Sequence, residues 1–363
     1  MNLVANLDRS RWEPLAAVAQ DGPLVGCLIH DGVPVDVLQL APVLSRLSQG
    51  SLTTAAVVSP RRLIAGLIYS VRLARYLRST HVNLVHANSL KLCLLGGLAA
   101  RLAGIPVVWQ VHAVVAEPLM PRVAVQLFRL LARWIPSFVI CNSQATLNGL
   151  KLVNDKTAVI PCGIETARFR PNGHRDGSQR IGMISRFAPI KGQHVFLQAA
   201  QRVGEQNRSA RFVLAGTALF GEDDYEAEIR EEAGKGALAG RVEMLGFVTD
   251  VSALIQTLDV VVQPSTAPEG FGQIVVEAMM CAKPVVASAA GGSADLIQDR
   301  VTGRLVPPGD PIALADAIGD VLAHPAQAAE MGRRAREIAL ERYDVRKTTR
   351  AIEEVYSRVL ARL

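Results

Sequence analysis

Short aliphatic runs alternate with longer stretches in which apolar residues recur at helical spacing, and this alternation continues along the whole chain. The runs lack the strict polar alternation of half-exposed strands, which is typical of parallel strands buried on both faces. Between two of them, Leu314, Ile318 and Val321 follow Pro311 at helical spacing. The pattern predicts an α/β fold with parallel sheets. The predicted strands are 13–19, 33–39, 82–88, 105–112, 137–143, 157–163, 180–185, 211–216, 241–247, 258–264, 283–289 and 303–308.

The length of the chain predicts two domains, because 363 residues are about twice the usual domain length. Residues 171–179 are polar and glycine-rich without apolar periodicity, which is typical of a linker. We therefore predict two doubly wound, Rossmann-like domains, 1–175 and 176–363, which face a cleft. The last helix, about 344–363, is expected to pack back on the N-terminal domain.

Composition narrows the class of protein further. Half of the residues are apolar and 20% are charged, which excludes an intrinsically disordered chain. The five cysteines stand far apart without a Cys-x-x-Cys pair, which argues against a disulfide framework or a zinc knuckle and favours a reducing compartment. No stretch of about 18 residues is apolar throughout, and the first residues lack a basic segment before an apolar run. We expect a cytoplasmic protein.

Positive charge is concentrated in the first half of the chain. Residues 1–175 carry 18 Lys and Arg against 8 Asp and Glu, a net charge of +10, whereas residues 176–363 carry 21 against 25, a net charge of −4. A basic half predicts an anionic partner: a membrane surface, nucleic acid or an acidic substrate. Nucleic acid is the least favoured, because no aromatic-interleaved basic run and no zinc-finger spacing occurs in the sequence.

Two predicted helices are candidates for contact with an anionic membrane surface. In 121–136, apolar residues surround one narrow polar stripe, and in 61–78, arginines border an aliphatic face. Such a surface predicts peripheral attachment to the inner face of the cell membrane. The alternative is that both helices bury their apolar sides against the sheet. The stripe consists of Arg122, Gln126, Arg129 and Arg133, and the arginines of the other helix are Arg61, Arg62, Arg72, Arg75 and Arg78.

The stretch 268–279 follows a predicted buried strand and carries two glutamates. Glycines flank Phe271, and a helix is predicted to begin near Gln273. Such a turn exposes backbone N–H groups at a helix N-terminus, which attract a phosphate or a developing oxyanion. Glu269 lies in the turn and Glu277 inside the helix, so one carboxylate is placed to meet a sugar hydroxyl and the other a ribose. The alternative is a loop glutamate and a capping glutamate.

Two cations follow the strand 180–185. Arg186 and Lys191 precede Gly192, which opens a helix, and a forked donor beside a point charge suits a diphosphate. The alternative is two solvated surface cations. His112 closes the strand 105–112 and is either a ligand-contacting or a structural histidine. Residues 291–293, Gly-Gly-Ser, alone indicate only a tight turn between a strand and a helix.

In combination, these segments resemble the retaining GT-B glycosyltransferases of family 4 (glycosyl transferases group 1), which include lipopolysaccharide and mannosyl transferases. The resemblance extends from about residue 80 to 345, in the order and spacing of that family. The segments that carry it are 86–90, 107–113, 159–171, 184–192, the pair Glu269 and Glu277, 291–297 and 302–311.

The resemblance implies a role for each singled-out residue. Arg186 and Lys191 would neutralise the donor diphosphate, Glu277 would hold the ribose, and Glu269 would bond hydroxyls of the donor sugar beside backbone N–H groups. His112, from the other domain, would reach the donor sugar near the reacting carbon. The expected catalytic residues are Glu269, His112, Arg186 and Lys191. The expected donor-binding residues are Arg186, Lys191, Glu269, Gly270, Phe271, Gly272 and Glu277.

The activity implied is retaining transfer of a hexose from a nucleoside-diphosphate sugar to a hydroxyl acceptor. The acceptor would be a glycan or a lipid-linked saccharide in cell-envelope or polysaccharide synthesis. The nucleotide sugar is a co-substrate, with UDP or GDP left open, and no metal or cofactor is expected. A metal-dependent transferase of the other common fold is set aside, because no Asp-x-Asp occurs. The glycine string 234–240 follows an acidic helical stretch rather than a strand, so it predicts no dinucleotide site.

The sequence departs from the family at its beginning. Relatives open with a strand and a glycine-rich loop, whereas this sequence starts within what resembles the following helix, so we expect a truncated N-terminal domain with a gap beside the strand 13–19. The alternative function is therefore a non-catalytic nucleotide-sugar-binding protein. A smaller departure is Pro-Cys-Gly-Ile-Glu at 161–165, where many relatives have Pro-Asn-Gly-Ile-Asp.

Overall fold

The computed structural model describes residues 2–45, 59–117, 119–152, 154–171, 179–219 and 221–362. The chain divides into two compact units. Unit 1 comprises Met1–Gly163 together with Val345–Leu363, and unit 2 comprises Ile164–Asp344. Most of the predicted linker, 172–178, lies outside the described residues.

The first boundary between the units lies at Gly163 rather than near residue 175, and backbone contacts give the reason. A Cβ on Gly163 would lie 2.1 Å from Thr348 Oγ1 and 2.6 Å from Val345 Cα, so this glycine packs tightly on the last helix within unit 1. The next residue, Ile164, donates a backbone hydrogen bond of 2.8 Å to Tyr343 of unit 2. The chain therefore leaves unit 1 and returns to it at adjacent points.

Unit 1 contains parallel strands and the helices that connect them. The strands are β1 (Ala16–Val18), β2 (Val35–Val37), β3 (Val85–Ala87), β4 (Val107–Val111), β5 (Phe138–Cys141) and β6 (Thr157–Val159). The helices are α1 (Asn2–Asn6), α2 (Pro23–His30), α3 (Pro42–Ser45), α4 (Pro60–Ser79), α5 (Leu90–Ala103), α6 (Arg122–Trp134), α7 (Gln144–Leu150) and α15 (Val345–Leu360).

The strands of unit 1 form two parallel sheets, β3-β4-β5-β6 and β1-β2. Helices α4, α5 and α6 cover one face of the larger sheet, and their core includes Trp109 and Phe128. Helix α15 covers the opposite face, where Ile352 and Val355 join the core that holds Phe138. Strands β4 and β5 are buried along their whole length, as the absence of polar alternation predicted. Within the described residues, β1 pairs only with β2.

Unit 2 contains one six-stranded parallel sheet. Its strands are β7 (Arg180–Ile184), β8 (Arg211–Ala215), β9 (Val242–Gly246), β10 (Val260–Gln263), β11 (Val285–Ser288) and β12 (Arg304–Val306). Its α-helices are α8 (Gln193–Gln206), α9 (Asp223–Ala233), α10 (Val251–Gln256), α11 (Gln273–Met280), α12 (Gly292–Leu296), α13 (Pro311–Ala323) and α14 (Pro325–Arg342), with short 3₁₀ turns at Pro189–Lys191 and Gly236–Leu238. Each strand predicted from the sequence contains one of these strands or one of those in unit 1.

The strand order in unit 2 is β12-β11-β10-β7-β8-β9. The chain proceeds from β7 outward to β9 and then returns to the other side of β7 with β10. The order therefore reverses between β7 and β10, and ligands of such sheets bind at this point, outside the carboxyl ends of the strands. Helices α8 and α13 bury Phe196 and Ile318 in one core with the strand residues Val260 and Val262. No helix within the described ranges is both long enough and apolar enough to cross a bilayer.

Candidate active site

Two loops that carry predicted diphosphate- and sugar-binding residues meet at the switch point of unit 2. Arg186 and Lys191 follow β7, and Glu269 follows β10, the neighbouring strand in the sheet. The carboxyl ends of parallel strands meet at one edge of a sheet, which brings two loops that are far apart in sequence into contact. The topology therefore explains why the loop that carries Arg186 and Lys191 meets the loop that carries Glu269.

Glycine makes the close contact between the two loops feasible. Gly192 has a left-handed φ of 81°, and a Cβ there would lie 2.1 Å from the carbonyl oxygen of Pro264. The backbone N–H of Thr266 then donates to the carbonyl of Ile190 at 3.0 Å. In this arrangement the Lys191 ammonium lies 2.8 Å from Glu269 Oε1, with only 23% and 13% of the two side chains exposed.

Glu269 is held as a carboxylate in spite of its burial. Burial alone would raise its pKa, but the positive charge and hydrogen bond of Lys191 and the hydrogen bonds of Ser265 and Gln263 outweigh it, so the pKa of Glu269 is lowered. Ser265 donates its hydroxyl hydrogen to the oxygen that Lys191 also contacts. A fixed, partly accessible carboxylate of this kind is suited to accept hydrogen bonds from sugar hydroxyls.

The turn 291–293 packs against the backbone of the Glu269 loop and holds it in place. From its sequence, this segment indicated only a tight turn. Gly291 has a φ of 64°, and a Cβ on it would lie 2.2 Å from the carbonyl oxygen of Glu269. Gly292 donates its backbone N–H to that same carbonyl at 2.8 Å. The Ser293 hydroxyl donates to Gln263 Oε1 at 2.8 Å, which orients a residue that in turn contacts Glu269. The two glycines therefore fix the position of the segment that bears the glutamate.

The segment Gly270–Gly272 leads into helix α11. Gly272 occupies the N-cap with a φ of 96°, and Phe271 is buried with its ring edge-on to Tyr343 at a centroid distance of 5.8 Å. One turn further into α11, Glu277 is only 8% exposed and accepts a hydrogen bond of 2.7 Å from the side chain of Gln273. Burial raises the pKa of Glu277, and the Gln273 hydrogen bond and the charge of Arg168 offset this only in part. The protein therefore lowers the pKa of Glu269 and raises that of Glu277.

Arg186 pairs with Glu222, a residue that the sequence analysis did not single out. The guanidinium and the carboxylate are in direct contact, and each side chain is about one quarter exposed, 28% and 27%. Glu222 is the N-cap residue of α9. The only sequence signal for it is the acidic cluster at 222–224, which by itself indicates a helix start.

His112 belongs to unit 1 and lies at the carboxyl end of β4, where the sequence placed it. Its Nε2 lies 2.5 Å from Asn88 Oδ1, and its Nδ1 lies 3.6 Å from Cys162 Sγ. Asn142 donates a side-chain hydrogen bond of 3.2 Å to the His112 carbonyl. These four residues follow four successive strands, β3 to β6, and burial lowers the pKa of His112, so its imidazole is neutral. Of this cluster, only His112 was a candidate site residue from the sequence, although Asn88 and Cys162 lie in segments that carry the family resemblance.

Neither a metal site nor a disulfide occurs in the described part of the chain. Across those residues, no three His, Cys, Asp or Glu side chains come together as a metal site requires. All five cysteines are free thiols, and Cys93, Cys141 and Cys281 are buried.

Two family models match adjacent parts of the chain. The model described as Glycosyltransferase Family 4 matches residues 24–168, and the one described as Glycosyl transferases group 1 matches residues 165–338. Among solved structures, Anabaena Alr3699/HepE in complex with UDP and glucose is 28% identical and has a TM-score of 0.83, with 98% of this chain and 94% of that chain covered. The fold is thus that of the GT-B glycosyltransferases. The chain belongs to glycosyltransferase family 4.

Curated relatives are similar over shorter stretches. D-inositol 3-phosphate glycosyltransferase 2 of Catenulispora acidiphila is 29% identical over 220 residues, which are 56% of this chain and 51% of that protein. The match therefore spans about half the length of that relative. The UDP-Gal:alpha-D-GlcNAc-diphosphoundecaprenol alpha-1,3-galactosyltransferase of Escherichia coli is 26% identical over 272 residues, 67% of each protein.

Proposed function

We propose that this protein transfers a hexose from a nucleoside-diphosphate sugar to a hydroxyl acceptor, with retention of the anomeric configuration. The observation that carries the proposal is the contact between Lys191 and the half-buried Glu269 at the switch point of unit 2, with Arg186 on the same loop as Lys191. Two cations at this edge suit a diphosphate, and the ionised carboxylate beside them suits the hydroxyls of the attached sugar. Uridine nucleotides are the first choice of donor, because HepE holds UDP and UDP-glucose.

The chemistry follows from the charges of these residues. The bond between the anomeric carbon and the β-phosphate oxygen breaks, and negative charge grows on the departing diphosphate. Lys191 and Arg186 stabilise that charge, which makes leaving-group departure the main target of catalysis. The acceptor hydroxyl then attacks from the same face, and its proton passes to the departing phosphate oxygen. The reaction accordingly proceeds without a carboxylate pair of the kind used by most glycoside hydrolases, and without a metal ion.

Glu277 of unit 2 and His112 of unit 1 have the remaining proposed roles. Glu277 accepts hydrogen bonds from the donor ribose, and Gly270, Phe271 and Gly272 offer backbone N–H groups near the start of α11. The neutral His112 imidazole contacts the donor sugar close to the reacting carbon. Asn88 and Cys162 contact the two ring nitrogens and orient the ring, and a hydroxyl of the donor sugar takes the place of one of these partners when the donor binds.

The acceptor is a glycan or a lipid-linked saccharide in polysaccharide or cell-envelope synthesis. Support for the class of acceptor comes from relatives, since the name of the Escherichia coli enzyme specifies a saccharide on diphosphoundecaprenol.

The test measures binding and turnover separately on the full chain. Calorimetry with UDP and GDP identifies the base, and incubation with UDP- and GDP-hexoses in EDTA reports release of nucleotide. Proton NMR of the sugar product reports the anomeric configuration. Nucleotide release with an α-configured product supports the proposal for an α-linked donor. Binding without release on any donor or saccharide acceptor indicates a nucleotide-sugar-binding protein, and activity lost in EDTA and restored by Mg²⁺ contradicts metal independence.

A further inference from the structure

Helices α4, α5 and α6 form one layer on the same face of the four-stranded sheet in unit 1, and their outer surface is unusually apolar. Their inner sides share one core, as the alternative reading of the sequence predicted. Among the described residues, half of the large apolar side chains that are exposed, ten of 20, lie on these three helices. They are Leu63, Ile64, Leu67, Ile68, Leu98, Leu102, Val123, Leu127, Leu130 and Trp134.

On two of the helices these side chains form continuous stripes. In α4, the exposed residues at 63, 64, 67 and 68 follow helical spacing, and each is between 54% and 64% exposed. In α6, the residues at 123, 127, 130 and 134 do the same, and the stripe ends on Trp134, which is 72% exposed. An exposed tryptophan at the end of an aliphatic stripe is a typical feature of helices that lie in a membrane interface.

The charge of the same layer is of one sign. The three helices contain ten Lys and Arg and no Asp or Glu. Four of the cations are occupied inside the unit, since each donates to a backbone carbonyl. Lys91 donates to Leu44 and Ser45, Arg72 to Gln39, Arg78 to Leu102, and Arg129 to Gly149. The remaining six cations are Arg61, Arg62, Arg75, Arg101, Arg122 and Arg133.

The polar stripe predicted for α6 lies beside the exposed apolar stripe. Arg122, Gln126 and Arg133 are exposed, whereas Arg129 is half-buried against backbone carbonyls. The apolar residues at 123, 127, 130 and 134 are exposed as well. The reason is that the core needs only Ala124, Val125, Phe128 and Ala132 from this helix.

We infer that the outer surface of α4, α5 and α6 docks on an anionic lipid bilayer. Apolar side chains enter the boundary between headgroups and acyl chains, while the surrounding arginines pair with lipid phosphates. A second copy of the chain fits this surface poorly, because it would bring two sets of like charges together. Nucleic acid also fits poorly, because aliphatic stripes make neither base-edge hydrogen bonds nor aromatic stacking. The inference does not depend on the proposed transferase activity.

The test is co-sedimentation of the full chain with vesicles. Vesicles of phosphatidylcholine with phosphatidylglycerol should retain the protein at low salt, and retention should weaken at high salt. Pure phosphatidylcholine vesicles should retain much less. If the chain stays in the supernatant with anionic vesicles at low salt, the inference is wrong.

Matched variants separate the apolar and charged contributions. Trp134→Glu should weaken binding about tenfold, since it places a carboxylate in the interface. Phe247→Glu is its control, because Phe247 is the 75%-exposed aromatic residue of unit 2 and should leave binding unchanged. The triple change of Arg61, Arg75 and Arg133 to Ser should weaken binding about 100-fold, and the same change at Lys235, Arg300 and Arg334 of unit 2 should not.

Unfolding and size measurements complete the design. All variants change exposed side chains, so their thermal unfolding should match that of the wild type, which confirms that any loss of binding is local. Equal vesicle binding by Trp134→Glu and the wild type would overturn the docking surface. So would a wild-type dimer that Trp134→Glu converts to a monomer, because a second copy would then cover the stripe.

Discussion

The Lys191 ammonium and the Glu269 carboxylate, 78 positions apart in the sequence, are joined by an ion pair of 2.8 Å at the switch point of unit 2. From the sequence alone, these residues had separate predicted roles, one toward a diphosphate and one toward a sugar. In the structure they form one electrostatic unit, because Lys191 is the main reason that the pKa of the half-buried Glu269 is lowered. Changing either residue therefore alters both contacts.

The first prediction follows from this pair. Lys191→Ala removes a charge-assisted contact to a diphosphate, worth about 1.5–3 kcal/mol, so the affinity for UDP or GDP should fall about 10- to 150-fold. Lys235→Ala is the control, since Lys235 forms a surface ion pair with Glu231 in the same unit and should not change the affinity. Calorimetry checks both variants, and an unchanged Kd for Lys191→Ala would show that the diphosphate binds elsewhere.

The second prediction concerns the contact between Arg186 and Glu222. A diphosphate that binds Arg186 must compete with the Glu222 carboxylate. Glu222→Gln keeps the shape of the side chain but removes its charge, so nucleotide affinity should rise up to about fivefold, the scale of a partly exposed ion pair. Tighter binding should disappear in the double variant with Arg186→Ala. If Glu222→Gln weakens binding instead, the carboxylate orients Arg186 rather than competing for it.

The third prediction uses two glycines that differ in their surroundings. A Cβ on Gly292 would lie 2.6 Å from the Cα of Phe271, so Gly292→Ala forces the backbone below Glu269 to shift. The free energy of unfolding should fall by about 1–3 kcal/mol, and nucleotide affinity should fall with it. Gly319 lies in helix α13 with open space around the Cβ position, so Gly319→Ala should stabilise the protein by about 0.5–1 kcal/mol. Thermal unfolding measures both changes, and equal stability of the two variants would contradict this account of the turn.

The fourth prediction separates stability from binding at Glu277. Its pKa is raised in the folded protein, so the carboxyl contributes stability that is complete below its unfolded pKa, about 4.3, and is lost as pH rises through the folded value. Glu277→Gln removes the cost of a buried charge. The variant should therefore be at least as stable as the wild type at neutral pH while binding the nucleotide more weakly. Thermal unfolding measured from pH 4 upward tests the direction of this effect. The difference in the free energy of unfolding between the variant and the wild type should increase with pH.

The fifth prediction concerns His112. Burial lowers the pKa of His112, so its imidazole takes up a proton at a lower pH than an ordinary histidine, whose pKa is about 6.5, and any loss of turnover caused by this protonation should begin below that pH. His112→Ala should lower turnover about 100-fold through the loss of a positioned hydrogen bond. The affinity for UDP, which the proposal assigns to unit 2, should be unchanged. Weaker UDP binding by this variant would place His112 at the nucleotide rather than at the sugar.

Local patterns in the sequence were sufficient to predict the strands and the site loops. Buried parallel strands appear in the sequence as aliphatic runs. The polar residues that follow these runs, Arg186, Glu269 and His112, can be recognised from their residue types and positions. The companions of these residues were not predictable in this way. Glu222, Asn88 and Cys162 reach their partners because neighbouring strands end at the same edge of a sheet. This proximity depends on the order of the strands in the sheet, which a short stretch of sequence does not reveal. The boundary between the units was misplaced for a similar reason, since the tight packing of Gly163 on Thr348 joins residues far apart in sequence.

The route of the chain through the two units has a consequence for synthesis on the ribosome. Unit 2, Ile164–Asp344, is complete when Asp344 emerges, whereas unit 1 still lacks Val345–Leu363 at that moment. Helix α15 from that segment covers Val108, Phe138 and Ile140 on one face of the unit 1 sheet. The half that is synthesised first therefore finishes folding last, in contrast to the usual order of domains in a growing chain. A protein shortened at residue 344 would expose this apolar face and aggregate, while the isolated segment 164–344 retains all of its own core.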